Sequence, residues 1–248
     1  MPARSAVTIF LLLCALAFHG RLSAEVVNVY TSARVAPLLS NDGHGMYADM
    51  VDYLNRQKIG DLQFKLIYLP RKRLQLQVEN GTLDGIVIGM MPHWFDDVAQ
   101  KKYLWTAPFA LDRYVVVLPV NQPYSDTVPG PLAGHTLGMV LGYSYPDLDA
   151  WIRRQGLIRN DAGSDEHNLE KLRLHRVDGV LAAESIVRWY LKQHAMQAQF
   201  QVHVLPSQPT ERRFLIPHAQ AAIYHKIAPV LRKLKDDPEW QRSVGKYE

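Results

Sequence analysis

The feature that most constrains this chain is an alternation of β-rich runs and amphipathic helices that breaks off once and then starts afresh. Val26 to Tyr30 is a short β-rich run. Met46, Met50, Val51 and Leu54 fall at helical spacing, which predicts a helix to about Gln57. Phe64 to Leu69 reads as a strand, Arg71 to Glu79 as a helix closed by Asn80-Gly81, Asp84 to Gly89 as a buried strand and Tyr114 to Leu118 as another. Strands separated by helices predict a mostly parallel sheet with helices on its faces. Four prolines then fall between Pro119 and Pro131, beside Asn, Ser, Asp and Gly, and predict a linker or long loop. Beyond them the alternation resumes. Thr136 to Leu141, Asp178 to Ala182 and Phe200 to Leu205 read as strands; Pro146 to Gln155, Leu169 to Arg176 and Glu184 to Gln193 read as helices. A second break covers Pro206 to Pro209, before a strand at Arg213 to Ile216 and a long helix from Ala219, with a kink expected at Pro229. A fresh start after a Pro-rich break is the mark of two lobes.

The first 24 residues stand apart from this pattern. Arg4 supplies a positive start, Ala6 to Phe18 is an apolar run interrupted only by Thr8, and Leu22-Ser23-Ala24 is a small-residue cleavage site before Glu25. The run is shorter than the ~20 residues a membrane-spanning helix needs. Residues 1–24 are therefore expected to be a signal peptide, and the mature protein is expected in the periplasm. Cleavage removes Arg4, Arg21 and Cys14, so the formal charge of +4 falls to +2 and no cysteine remains. That argues against a nucleic-acid partner, a thiol nucleophile and a disulfide framework. No His-x-x-x-His spacing, Gly-x-Ser-x-Gly elbow or phosphate-loop Gly-Lys-Ser/Thr occurs, so neither a metal site nor a cofactor is expected.

Four segments, in order, resemble a known family. They are Gly45-Met46-Tyr47-Ala48-Asp49-Met50, then Pro70 to Arg73 running on to Asn80-Gly81-Thr82-Leu83-Asp84, then Trp105-Thr106-Ala107-Pro108-Phe109, and then Leu132-Ala133-Gly134 with Leu137 to Ser144. Leu172 to Asp178 repeats the second pattern. Together they resemble the periplasmic solute-binding proteins of family 3, the amino-acid-binding type of ABC transporter. The resemblance implies an α/β, two-lobed periplasmic-binding-protein-like fold of type II, with two crossover strands. Residues 25–116 and 208–248 would form lobe 1 and residues 117–207 lobe 2. It implies a monomer that captures a small organic molecule between the lobes without catalysis, for an ABC permease. A separate membrane sensor is the alternative partner, and a dehydratase-like enzyme is the alternative activity on this fold.

The resemblance also places the ligand contacts just after strands. In lobe 1 the candidates are Tyr30, Ser32, Arg73, Gly89, Met90, Met91 and Trp94. In lobe 2 they are Gly142, Tyr143 and Ser144, with Ser144 expected to cap a helix or donate to a ligand, and Glu184 as a cation partner. Arg71 and Lys72 read as solvated charges. One departure matters. The family holds its ligand carboxylate with an Arg that would fall at Ala99 or near Asp96 here, and no Arg lies between Arg73 and Arg113. The Asp that usually meets the ligand's amino group falls on Ala183. A less polar cleft is expected, suited to a ligand with an apolar, planar or cationic part.

Overall fold

The computed structural model describes residues 24–125, 130–145 and 148–247. Apart from Ala24, the expected signal peptide lies outside the described residues, as does Pro146. The strands are β1 (Glu25–Thr31), β2 (Leu62–Tyr68), β3 (Gly85–Met90), β4 (Leu104–Trp105), β5 (Ala110–Asp112), β6 (Tyr114–Pro119), β7 (Thr136–Val140), β8 (Ile158–Ala162), β9 (Gly179–Ala183), β10 (Phe200–Val204) and β11 (Thr210–Ile216). The helices are α1 (Met46–Arg56), α2 (Arg71–Glu79), α3 (Asp149–Arg154), α4 (Asp165–Arg173), α5 (Glu184–Gln193), α6 (Ala221–Leu231) and α7 (Pro238–Val244).

They build two sheets. The first has the order β2-β1-β3-β11-β4, with β5 also on β11; the second has the order β10-β6-β9-β7-β8. In the first sheet β1, β2 and β3 are parallel and only β11 is reversed. In the second sheet β7, β8 and β9 are parallel and only β6 is reversed. Each reversed strand is the first one made after the chain changes sheet. The central strands β3 and β9 are buried at every residue, as their unbroken apolar and glycine runs require. Helix α1 puts Met46, Met50 and Leu54 into the first core, which Trp240 of α7 closes. Each such side chain contributes about 1.5–3 kcal/mol when buried.

The crossings differ from the expected boundaries. Tyr114, Val115 and Val116, assigned to lobe 1 from the sequence, pair with Ala183, Ala182 and Leu181 in the second sheet. The chain therefore changes sheet at Arg113, where extended backbone runs from β5 into β6 with no turn residue to mark it. The Pro-rich stretch from Pro119 to Pro131 connects β6 to β7 inside the second sheet. The return crossing lies between β10 and β11, where Leu205 N–H donates to the Tyr114 carbonyl at 3.0 Å. Strand β8 was not anticipated, because Ile158-Arg159-Asn160-Asp161-Ala162 is an exposed edge without apolar alternation. Helix α4 starts four residues before its apolar stripe, at a Ser164 cap whose hydroxyl accepts from His167 N–H at 3.2 Å.

Candidate functional site

The carboxyl ends of β1, β3, β7 and β9 face one another across the crossings, where an open α/β sheet places its ligands. Between them lies a cavity lined from both lobes. The first lobe contributes Thr31 at the end of β1 and Ser32 just after it, Gly89 and Met90 from β3, Trp94, Tyr47 from α1 and Arg71 from α2. The second contributes Tyr114, Tyr143, Ser144, Tyr145 and Asp165, with Ala183 and Ile186 from the β9–α5 junction. Thr210 and Arg212 line it from β11.

Gly89 is what lets Tyr47 into this space. It has φ +78°, and a Cβ there would lie 2.1 Å from the Tyr47 hydroxyl. Across from it the β11 register shifts between Arg213 and Phe214, so Gly89 is the extra residue of a β-bulge.

Two charges are held tightly against each other. Arg212 Nη2 donates to Asp112 Oδ2 at 2.6 Å, and both side chains are nearly fully buried. Arg212 also donates to the Tyr47 hydroxyl at 3.1 Å. Asp112 accepts from Ser185 N–H at 3.2 Å and from the Ser185 hydroxyl at 2.6 Å, at the start of α5. Burial opposes the Asp112 charge, but Arg212 and Ser185 outweigh it and hold the carboxyl below its usual range. This cluster ties both crossing strands to the second lobe.

Two other ionisable groups in the cavity form no ion pair among the described residues. Arg71 donates to Met90 Sδ at 3.0 Å and lies 5.6 Å from the Trp94 ring and 5.2 Å from the Phe95 ring; desolvation lowers its pKa. Asp165 is buried at the first position of α4, and desolvation pushes its carboxyl up to about 7. A helix N-terminus favours an anion, so loss of water outweighs the helix here. The phenols of Tyr47, Tyr114, Tyr143 and Tyr145 are all raised by burial and stay neutral. Trp94 Nε1 and Thr210 Oγ1 are buried without a hydrogen-bond partner.

Of the expected ligand residues, Ser32, Gly89, Met90, Trp94, Tyr143 and Ser144 line the cavity. Five others do not. Tyr30 points to the opposite face of β1 from Thr31, into the core under α2, and its hydroxyl donates to Asp84. Met91 is buried outside the lining, one residue past Met90 and thus on the other side of the extended backbone. Arg73 is exposed, because two residues along a helix turn the side chain about 200° from Arg71. Gly142 sits at the rim, where a Cβ would meet Lys72 Cε at 3.5 Å. Glu184 lines a second, wider groove and is bonded to Arg113 and Arg188, which hold its pKa down. Ser144 is not a helix cap, since α3 begins after Leu148. The sequence reading missed Arg71, Asp165, Tyr114 and Arg212 as cavity groups. Helical phase against Leu74 and Val78 could have separated Arg71 from Arg73. Nothing local marks Asp165, the first residue of α4, whose neighbours Tyr114, Tyr143 and Tyr145 come from other elements. The stretch where the family keeps its Arg is built instead around Asp97, which accepts from the N–H groups of Lys101, Lys102 and Tyr103 and from Trp105 Nε1.

Two sheets joined by two adjacent crossings, with a cavity between their carboxyl edges, define the two-lobed periplasmic-binding-protein fold. Solved structures agree. The substrate-binding protein of an ABC uptake transporter from Streptococcus pneumoniae, with bound histidine, is 16% identical, covers 91% of this chain and 93% of its own, and superimposes with a TM-score of 0.74. An ancestral arginine-binding protein bound to arginine gives 16%, 90%, 97% and 0.72. An ancestral amino-acid-binding protein described as a precursor of cyclohexadienyl dehydratase gives 15%, 90%, 95% and 0.67. No protein-family model and no curated protein matches the chain. At these identities the likeness establishes the fold.

Proposed function

We propose that this chain is a periplasmic solute-binding protein, exported by residues 1–24, that closes its two lobes on one small organic molecule for ABC-type uptake. The observation that carries the reading is the cavity itself. Its walls come from both lobes, and it holds two buried polar atoms without hydrogen-bond partners, Trp94 Nε1 and Thr210 Oγ1. Such groups are costly unless something bonds them, and a guest that touches both lobes supplies those bonds only in the closed state. Closure is then a population shift driven by the guest's differential affinity. Arg71 replaces the missing family Arg as the anion-holding group, from a different element and with Trp94 as its platform. The three solved neighbours, two of them described with bound histidine or arginine, support an amino-acid-sized guest. Native mass spectrometry of the freshly secreted protein tests the reading. One stoichiometric small molecule is expected, lost on unfolding; a chain that never carries one contradicts it.

The guest is held without turnover on this reading. Glu184, expected from the sequence as a cation partner, is engaged by two arginines. Asp165 favours the second reading, a dehydratase-like enzyme, because a carboxyl near 7 is the form a general acid needs. An absorbance assay with prephenate and arogenate separates the two: saturation without product is expected. Turnover abolished by Asp165→Asn would establish an enzyme instead.

A further inference from the structure

We propose that Asp165 selects the guest by receiving a protonated nitrogen on its carboxylate, in a contact that forms as the carboxyl releases its own proton to solvent. This deepens the capture reading and rests on it. Asp165 is 6% exposed, lines the cavity from the second lobe and bonds to no side chain. Its own backbone N–H bonds to the carboxyl, but a buried carboxyl without a side-chain partner is retained at a cost, and here the open direction is the cavity.

The groups around it leave that role free. Arg212 attracts it and Asp112 repels it, but these two are paired with each other. The neighbouring phenols of Tyr114, Tyr143 and Tyr145 are neutral and add π faces and hydroxyls. Arg159 on β8 is bonded to Asp161 at 2.6 Å and to the Val140 and Tyr143 carbonyls, with its guanidinium 5.7 Å from the Tyr145 ring. Glu166 and His167, next on α4, are exposed. Arg71 faces Tyr114 and Tyr143 from the first lobe. The cavity thus offers a carboxyl without an ion-pair partner among aromatic rings, the surroundings that favour a cationic nitrogen. A cation stabilises the ionised carboxylate, so binding shifts the proton off Asp165.

The test uses two near-isosteric pairs that differ in charge: tyramine with tyrosol, and phenethylamine with 2-phenylethanol. Calorimetry is run on the mature chain and on Asp165→Asn, at pH 6 and pH 8, in two buffers of different ionisation enthalpy. A cationic member is expected to bind about tenfold more tightly at pH 8 than at pH 6, as follows for a carboxyl that titrates midway. The observed heat should depend on the buffer, which reports proton release. Asp165→Asn should abolish both the pH dependence and the release. Carbon-13 NMR of aspartate side chains gives an independent readout, with the Asp165 resonance expected to titrate near neutrality. The proposal is overturned if neither cation binds, if the neutral partner binds as well as its cation, if affinity is the same at both pH values, or if Asp165 titrates near 4. Where a guest binds stoichiometrically yet ignores pH and the substitution, capture stands and this assignment alone fails.

Discussion

Asp165 makes the folded protein sensitive to pH in a direction opposite to most carboxylates. Its carboxyl rises from 3.8 to about 7 on folding. Below pH 4 both states are protonated and nothing is lost. As the pH climbs toward 7 the unfolded chain ionises more readily, so native stability falls, and the loss levels off above 7. The gap is worth on the order of 4 kcal/mol. Asp165→Asn should therefore raise the melting temperature of the unliganded chain by several degrees at pH 8 and leave it nearly unchanged at pH 4; equal shifts at both would contradict the assignment. Asp112 has the opposite sign. Its carboxyl is held low by Arg212 and Ser185 against the cost of burial, so its stabilisation is present above about pH 4 and lost as the pH falls further. Asp112→Ala strands a buried guanidinium and should cost about 3–5 kcal/mol in urea unfolding at pH 7. A loss under 1 kcal/mol would mean that Arg212 is solvated.

Elements with strong apolar patterns were legible in the sequence; positions set by phase or by a distant wall were not. Helix α1 could be read from Met46, Met50 and Leu54, and β3 and β9 from their apolar runs. The polar edge β8 and the polar first turn of α4 carried no such pattern, and the crossing at Arg113 has no Pro or Gly to announce it. The same limit shaped the site. Ser32, Gly89, Met90, Trp94 and Tyr143 lie at or just beyond strand ends and could be named, but Arg73 was chosen where α2 turns Arg71 inward. Helical phase gives a direct contrast. Arg71→Gln should weaken the co-purified guest about tenfold or more, the scale of a lost charge-assisted bond, without lowering the melting temperature. Arg73→Gln should leave affinity unchanged. Titration calorimetry of the purified guest against both variants measures this, and equal effects would remove Arg71 from the site.

At the scale of the whole molecule, the two lobes already share apolar surface. Ala183 and Ile186 of the second lobe are part of the first lobe's core cluster, and Trp189 of α5 packs 6.2 Å from Tyr247, whose hydroxyl donates to Asp49 at 2.9 Å. The crossings lie side by side, with Thr210 opposite Asp112 in the β5–β11 ladder. A short paired hinge of this kind permits rotation of one lobe against the other with few backbone changes. The guest must then supply what separates the open from the closed state, through Arg71 on one side and Asp165 on the other. Small-angle X-ray scattering tests that claim most directly, by comparing the freshly secreted protein with the same chain stripped by unfolding and refolding. The account predicts a larger radius of gyration after stripping, restored when the released small-molecule fraction is returned. Identical scattering in all three samples would contradict it.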